Sequence, residues 1–214
     1  MSDTLADRLV AFALSTRYED LAPEVVAEAR RRLIDALGCA VGALAEPASS
    51  IARRVAARTQ GVPSVGLIGG GKAAPDWAAF SNGVHIRYLD CNDTYLSLEP
   101  AHPSDNWADV MAAGEAAGAD GKAWITAAAV AYEVQCRLCD AASIRARGWD
   151  HTTYGSISST LAAAKLLSLS HDQAVHALGI AGTTGTALRL TRAGELSMWK
   201  GCAFASAARN GLFA

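Results

Sequence analysis

Along most of the chain, apolar residues recur at steps of three and four, the spacing of one helix face. Leu5, Leu9, Val10, Ala13 and Leu14 mark the first helix, over residues 4–16. Pro23 stands where a helix can begin, and EVVAEARRRLIDALGCAVGALA runs on from it as a long second helix. The pattern predicts further helices over 48–59, 75–89, 106–118, 121–143, 155–168, 171–181 and 196–213. Ser170 followed by Gln173 is a capping-box signature at the start of the 171–181 helix. SVGLIG at 64–69 is the one strand candidate. Small residues crowd AAGEAAG (112–118), TAAAVA (126–131) and SISSTLAAA (156–164), so helices can pack closely there, with buried central members. These patterns predict an all-α multi-helix bundle, one domain over residues 1–214, with at most one short strand.

Composition changes this picture little. Of 214 residues, 51% are hydrophobic and 19% charged, which suits a globular protein with a sizeable core. A formal net charge of −2 gives no bulk attraction to nucleic acid or to an anionic membrane. No apolar run reaches the roughly 18 residues of a membrane span, and MSDTLADRLVAFALSTRYEDL lacks the unbroken apolar core of a signal peptide. A cytoplasmic protein is expected. The five cysteines are an odd number in apolar contexts, against a disulfide framework. Cys136 and Cys139 form a CxxC inside YEVQCRLCDAA, which reads as mid-helix, and no second pair completes a zinc site.

Two stretches invite a chemical reading. GLIGGGK (66–72) matches the first part of a phosphate-binding loop, but Ala73 stands where a Ser or Thr must hold magnesium. A Gly-rich turn explains it better. The second is LDCNDTYLSLEPAHPSDNWAD (89–109), which gathers acids, amides and one imidazole in an otherwise Ala- and Leu-rich chain. Pro103 keeps His102 out of helical conformation. Ser104 or Asp105 can cap the helix that follows. Capping does not require Asp93, Thr94 and His102 as well, and loops held by rigid helices are where reactive groups sit. The plainer alternative is that the loop only ends one helix and starts another. His85, His171 and His176 lie on helix patterns and read as structural or exposed.

HIRYLDCNDTY…HPSDN resembles the signature of the MmgE/PrpD family, within it most closely the 2-methylcitrate dehydratases. RRRLIDALGCAVGAL (30–44), WDHTTYGSISSTLAAAKLLSL (149–169) and LRLTRAGELSMWKGCAFASAARNG (188–211) extend the resemblance over nearly the whole chain, in order. The family's helical larger domain carries a smaller α+β lid, with the active site between them and no metal or other cofactor. These 214 residues are expected to be the helical domain without the lid. The resemblance implies a lyase that eliminates water from a β-hydroxy tricarboxylate by acid–base catalysis; relatives include a decarboxylase and an epimerase that share the proton-transfer step. It assigns catalytic roles to Asp93, His102, His151 and Lys200, with Thr94 in the same loop motif and Asn92 standing where many relatives have an acid.

The residue types agree with that chemistry. Removing a proton next to a carboxylate needs a base, and releasing hydroxide needs an acid. Histidine serves either end near neutral pH, and Asp93 is expected to orient one imidazole. Arg87, Arg189 and Arg192 are the candidates for binding substrate carboxylates, which Arg can grip bidentately. If this is right, His102, His151 and Lys200 border one shared cavity with Asp93 close to a histidine. The expected partners are a small tri- or dicarboxylate and a second copy of the chain in a homodimer. The alternative is a non-catalytic helical module, a dimerisation scaffold or the partner of a separate lid polypeptide.

Overall fold

The computed structural model describes residues 4–214. Their order is α1 (Leu5–Ser15), α2 (Pro23–Gly42), α3 (Pro47–Ala56), β1 (Val65–Gly66), β2 (Lys72–Ala73), α4 (Pro75–Arg87), α5 (Trp107–Ala116), α6 (Gly121–Ala141), α7 (Thr152–Leu166), α8 (His171–Thr184) and α9 (Trp199–Phe213). The all-α expectation holds. Pro opens α2, α3 and α4 at the first helical position, where its missing N–H costs nothing. The predicted capping box starts α8: the Gln173 amide donates to Ser170 Oγ at 3.3 Å, and the Ser170 amide to Gln173 Oε1 at 2.9 Å. Thr4 and Asp7 make the same box on α1.

The strand expected over 64–69 narrows to Val65–Gly66, and a strand needs a partner: Lys72–Ala73 pairs with it antiparallel, Val65 opposite Ala73. Gly69, Gly70 and Gly71 all have positive φ and form the turn between the two. The amides of this turn are used internally. Leu67 donates to the Gly71 carbonyl, Gly70 to that of Leu67, and Ile68 to Asn82 Oδ1. So the GLIGGGK stretch is a hairpin turn, as its missing Ser or Thr implied.

Helix α7 lies at the centre, with every residue buried except Ile157 and Lys165. It packs on α6, α8, α5 and α9, while α9 also packs along α4. Small residues make these approaches possible. A Cβ on Gly83 of α4 would stand 3.0 Å from the Ala205 Cα of α9, and one on Gly155 of α7 would collide with the Phe204 ring. Trp107, Phe204, Ile86 and a layer of alanines fill the main core. Phe204 is 1% exposed, and losing such a ring from a core costs about 3–5 kcal/mol. Cys136 and Cys139 are one turn apart on α6, and burial pushes both thiols up to about 12, which keeps them protonated and unreactive.

Two helix boundaries bear on function. Helix α7 starts three residues earlier than its apolar pattern, so His151 sits at its N-cap. Helix α4 ends at Arg87, and Asp90 (φ 56°) turns the chain in the left-handed region. The connection from there to α5 carries the polar stretch.

Candidate active site

The polar stretch is first of all a pinned loop. An antiparallel bridge joins Tyr95 and Ala101, with hydrogen bonds of 2.8 and 3.0 Å. Asp140 of α6 accepts from Tyr95 Oη at 2.8 Å and Ser97 Oγ at 2.6 Å. Buried Glu99 accepts from Ser143 Oγ and the Arg145 amide, both at 3.0 Å. Asn106, fully buried, donates to the Pro103 carbonyl and to Gln135 Oε1, and accepts from Ser158 and Ser159 of α7. Most of the polar residues therefore hold the loop down, because buried polar groups must be paired.

Neither Ser104 nor Asp105 caps the next helix. Asp93 instead holds the 3-10 turn Pro103–Asn106 that leads into α5: its Oδ1 accepts the Ser104 amide at 2.9 Å, and its Oδ2 accepts Tyr132 Oη at 2.9 Å. Asp105 turns inward instead. Asn92 joins it to the neighbouring helix, donating to Asp105 Oδ1 at 2.7 Å and Ser104 Oγ at 2.9 Å while accepting from Arg87 at 3.2 Å. Arg87 Nε stands 3.6 Å from Asp105 Oδ2. Burial pushes Asp105 up to about 7 against the pull of Arg87.

His102 projects from this loop with backbone angles outside the helical region, as Pro103 requires. Its Nδ1 lies 2.7 Å from the Asp93 carbonyl and 3.4 Å from Thr94 Oγ1. A carbonyl only accepts, so Nδ1 carries the proton and Nε2 keeps its lone pair. His151 faces it, the ring centroids 5.8 Å apart and tilted by 57°. His151 is 5% exposed, and its Nε2 has no hydrogen-bond partner among the described residues. Burial holds both imidazoles below the usual histidine value, and the positive charge of Arg87 pushes the same way.

The orientation expected of Asp93 differs from what the structure has. Its carboxylate turns to Ser104 and Tyr132, and only its backbone oxygen meets a histidine. The carboxylate beside an imidazole is Asp150, whose Oδ1 lies 3.4 Å from His151 Nδ1. Asp150 has no exposed surface. Arg192 donates to its Oδ2 at 2.7 Å, Arg189 stands 3.8 Å away, and the Thr152 amide donates to Oδ1 at 3.2 Å. Burial opposes the charge on Asp150; the His151 ring and Arg192 outweigh it and hold the acid below the ordinary carboxylate value. The sequence reading passed over Asp150, although it directly precedes His151 in WDHTTYG. That adjacency was the available signal.

The candidates fall into two groups. His102, His151, Thr94 and Arg192 come together, with Arg189 on the outer side of Asp150. Lys200 pairs with Asp90, and Asp90 with Arg87. Arg87 is 2% exposed and spends its guanidinium on Asp90, Asn92 and Asp105. Two clefts stand near these groups, and neither is the shared cavity expected of His102, His151 and Lys200. One cleft of about 470 Å³ lies between α2 and α6, lined by Ala29, Arg32, Tyr132 and Cys136; another of about 590 Å³ lies under α9, lined by Leu188, Trp199 and Ala207. Neither histidine nor Lys200 lines either. No group of three or more His, Cys, Asp or Glu among the described residues could hold a metal ion.

The MmgE/PrpD N-terminal domain, as a family pattern, matches residues 7–214. The chain belongs to the MmgE/PrpD family. It is 34% identical over 200 residues to the 2-methylcitrate dehydratase of Cupriavidus necator, covering 86% of this chain and 41% of that protein. It is 33% identical over 172 residues to the 2-methylcitrate dehydratase of Salmonella typhimurium, covering 75% and 36%. A probable 2-methylcitrate dehydratase of Saccharomyces cerevisiae is 32% identical over 180 residues, covering 77% and 35%. The chain thus spans about two fifths of the length of these curated relatives. No helix of the described MmgE/PrpD domain is long and apolar enough to cross a membrane.

Proposed function

We propose that this chain is the helical part of a lyase of the 2-methylcitrate dehydratase type, which eliminates water from a tricarboxylate by acid–base catalysis with no resident metal or cofactor. The observation that carries the reading is the facing pair His102 and His151, each with its Nδ1 turned to an oxygen acceptor and its Nε2 left for substrate. One imidazole takes the proton next to a carboxylate. The electron pair of that C–H bond becomes the C=C bond, and the departing hydroxyl receives a proton from the other imidazole in its charged form, so water leaves. A polyanionic substrate raises the histidine values that burial lowers, which makes the charged form available when substrate is bound. Arg192 supports carboxylate binding: its Nε is held by Asp150 and its Nη2 has no partner among the described residues. Thr94 beside His102 supplies a further polar contact, while Lys200 stays with Asp90. The reaction is assigned to the cytoplasm.

One observation favours the second reading, a helical module that does no chemistry alone: the His151 Nε2 is sealed from solvent. Ile34, Leu37 and Val41 form an exposed apolar stripe on α2, which suits a two-fold dimer. The test is turnover. The purified chain mixed with 2-methylcitrate should give rising absorbance of the unsaturated tricarboxylate, alone or after addition of a polypeptide equivalent to the remainder of the relatives. No absorbance change in either mixture would overturn the dehydratase reading. Product from cis-aconitate or an iminodisuccinate instead would move it to a decarboxylase or an epimerase. Light scattering should report a dimer.

A further inference from the structure

Asp150 has a position that ordinary capping does not explain. Its two oxygens face different groups: Oδ2 accepts from Arg192 Nε, and Oδ1 accepts the Thr152 amide and stands 3.4 Å from His151 Nδ1. The backbone fixes this division. The Asp150 amide donates to the Ala187 carbonyl at 2.8 Å, the Arg189 amide to the Gly148 carbonyl at 2.8 Å, and Trp149 bridges Leu188. The Ala187 amide also donates to Thr153 Oγ1 at 3.0 Å. The 187–192 segment is thereby stitched to the start of α7. Its two arginines are set against one carboxylate, and that carboxylate against one imidazole.

We propose that Asp150 is the positioning residue of the centre, holding His151 in its Nδ1–H tautomer and Arg192 in place with a single carboxylate. This rests on the reading of His151 as an acid–base group. The tautomer follows from the acceptor: an ionised carboxylate offers only lone pairs to Nδ1, so the ring proton stays there and Nε2 is free to accept the proton of a substrate carbon. The Arg192 charge balances Asp150 in a site without solvent, so the acid remains ionised and its orienting role persists across the neutral range.

The geometry predicts a specific failure for Asp150→Asn. Arg192 carries the charge and makes the shorter bond, so the amide oxygen takes the place of Oδ2, and the NH2 is turned to His151 and to the Thr152 amide, which loses its acceptor. An NH2 beside Nδ1 forces that nitrogen to accept, and the proton moves to Nε2. The base is then blocked with its shape intact, as a carboxylate-to-amide change does in a Ser-His-Asp triad. The experiment is a two-bond 1H–15N spectrum of the histidine rings in the labelled chain. The wild-type protein should show His151 as the Nδ1–H tautomer between pH 6 and 8, and Asp150→Asn as the Nε2–H tautomer. In a preparation that turns over 2-methylcitrate, the same variant should lose on the order of 10²–10⁴-fold in kcat with KM changed less than threefold. An Nε2–H tautomer in the wild type overturns the proposal, and that result needs no variant to fold. So does an Nδ1–H tautomer in a folded Asp150→Asn. Absence of turnover in the wild type with both tautomers as expected would count against the dehydratase reading and leave the positioning role standing.

Discussion

The two buried histidines of this molecule look alike until their surroundings are compared. His85 on α4 and His151 at the start of α7 are both buried, both have Nδ1 beside an oxygen, and both leave Nε2 without a partner among the described residues. His85 bonds the Ser81 carbonyl of its own helix, four residues back, at 2.7 Å. The charge that acts on it is that of Arg53. His151 has a buried carboxylate behind it, an arginine on that carboxylate and a second imidazole in front. An orphaned nitrogen is therefore not what marks a reactive centre. The line acid–imidazole–imidazole does.

The largest expected effect breaks this likeness outright. In a preparation that turns over 2-methylcitrate, His151→Gln should lower kcat on the order of 10²–10⁴-fold, and His85→Gln less than threefold. Equal losses would remove the distinction. A large effect on stability is expected at the loop that carries His102. Asn106→Ala strands Gln135 Oε1 and the Ser159 hydroxyl, while Ser158 keeps the Gly155 carbonyl, and should cost about 2–3 kcal/mol in urea unfolding, since stranded buried polar groups are costly.

The pH dependence of stability should show what the two histidines share. Burial lowers both below the ordinary value of 6.5 in the folded state. The folded protein then binds fewer protons than the unfolded chain below pH 6.5, so both residues contribute stability above that pH and lose it on acidification. Each Gln variant should reduce the acid slope of unfolding free energy by up to about 1.4 kcal/mol per pH unit. Asp105 acts in the opposite sense. Its folded value of about 7 lies above 3.8, so its contribution is full below pH 3.8 and is lost as pH rises through 7. Asp105→Asn should steepen the net acid loss by removing that opposing trend. The smallest effect is expected at Lys200. Its pair with Asp90 is partly exposed, and such pairs contribute at most about 1 kcal/mol; Lys200→Gln should leave thermal unfolding within a few degrees of wild type.

The helices were legible because period 3.6 survives in any amphipathic segment, and Ser170 with Gln173 states its cap in two letters. Helix α7 was legible only in part. It is buried nearly all round, so its first turn shows no polar face to set a boundary, and the start at Thr152 escaped the pattern. The site was legible as a set of residue types and not as an arrangement. His102 and His151 lie 49 positions apart, and only packing brings their rings together. Asp93 was a reasonable partner for a histidine by proximity in the chain. The Ser104 amide and Tyr132 hydroxyl claim its carboxylate instead, and neither contact has a sequence signal. Arg87 promised a substrate contact, yet its position at the end of α4 buries it among Asp90, Asn92 and Asp105.

The most direct test of the central claim, that His102 and His151 form one carboxylate-processing centre, is a titration of the labelled chain with 2-methylcitrate, read from the ring resonances of all five histidines. The account predicts that His102 and His151 shift together with a single affinity, their values moving up as the anion enters, while His85, His171 and His176 stay in place. Movement of His151 without His102, movement confined to the other three, or no movement up to millimolar ligand would contradict it.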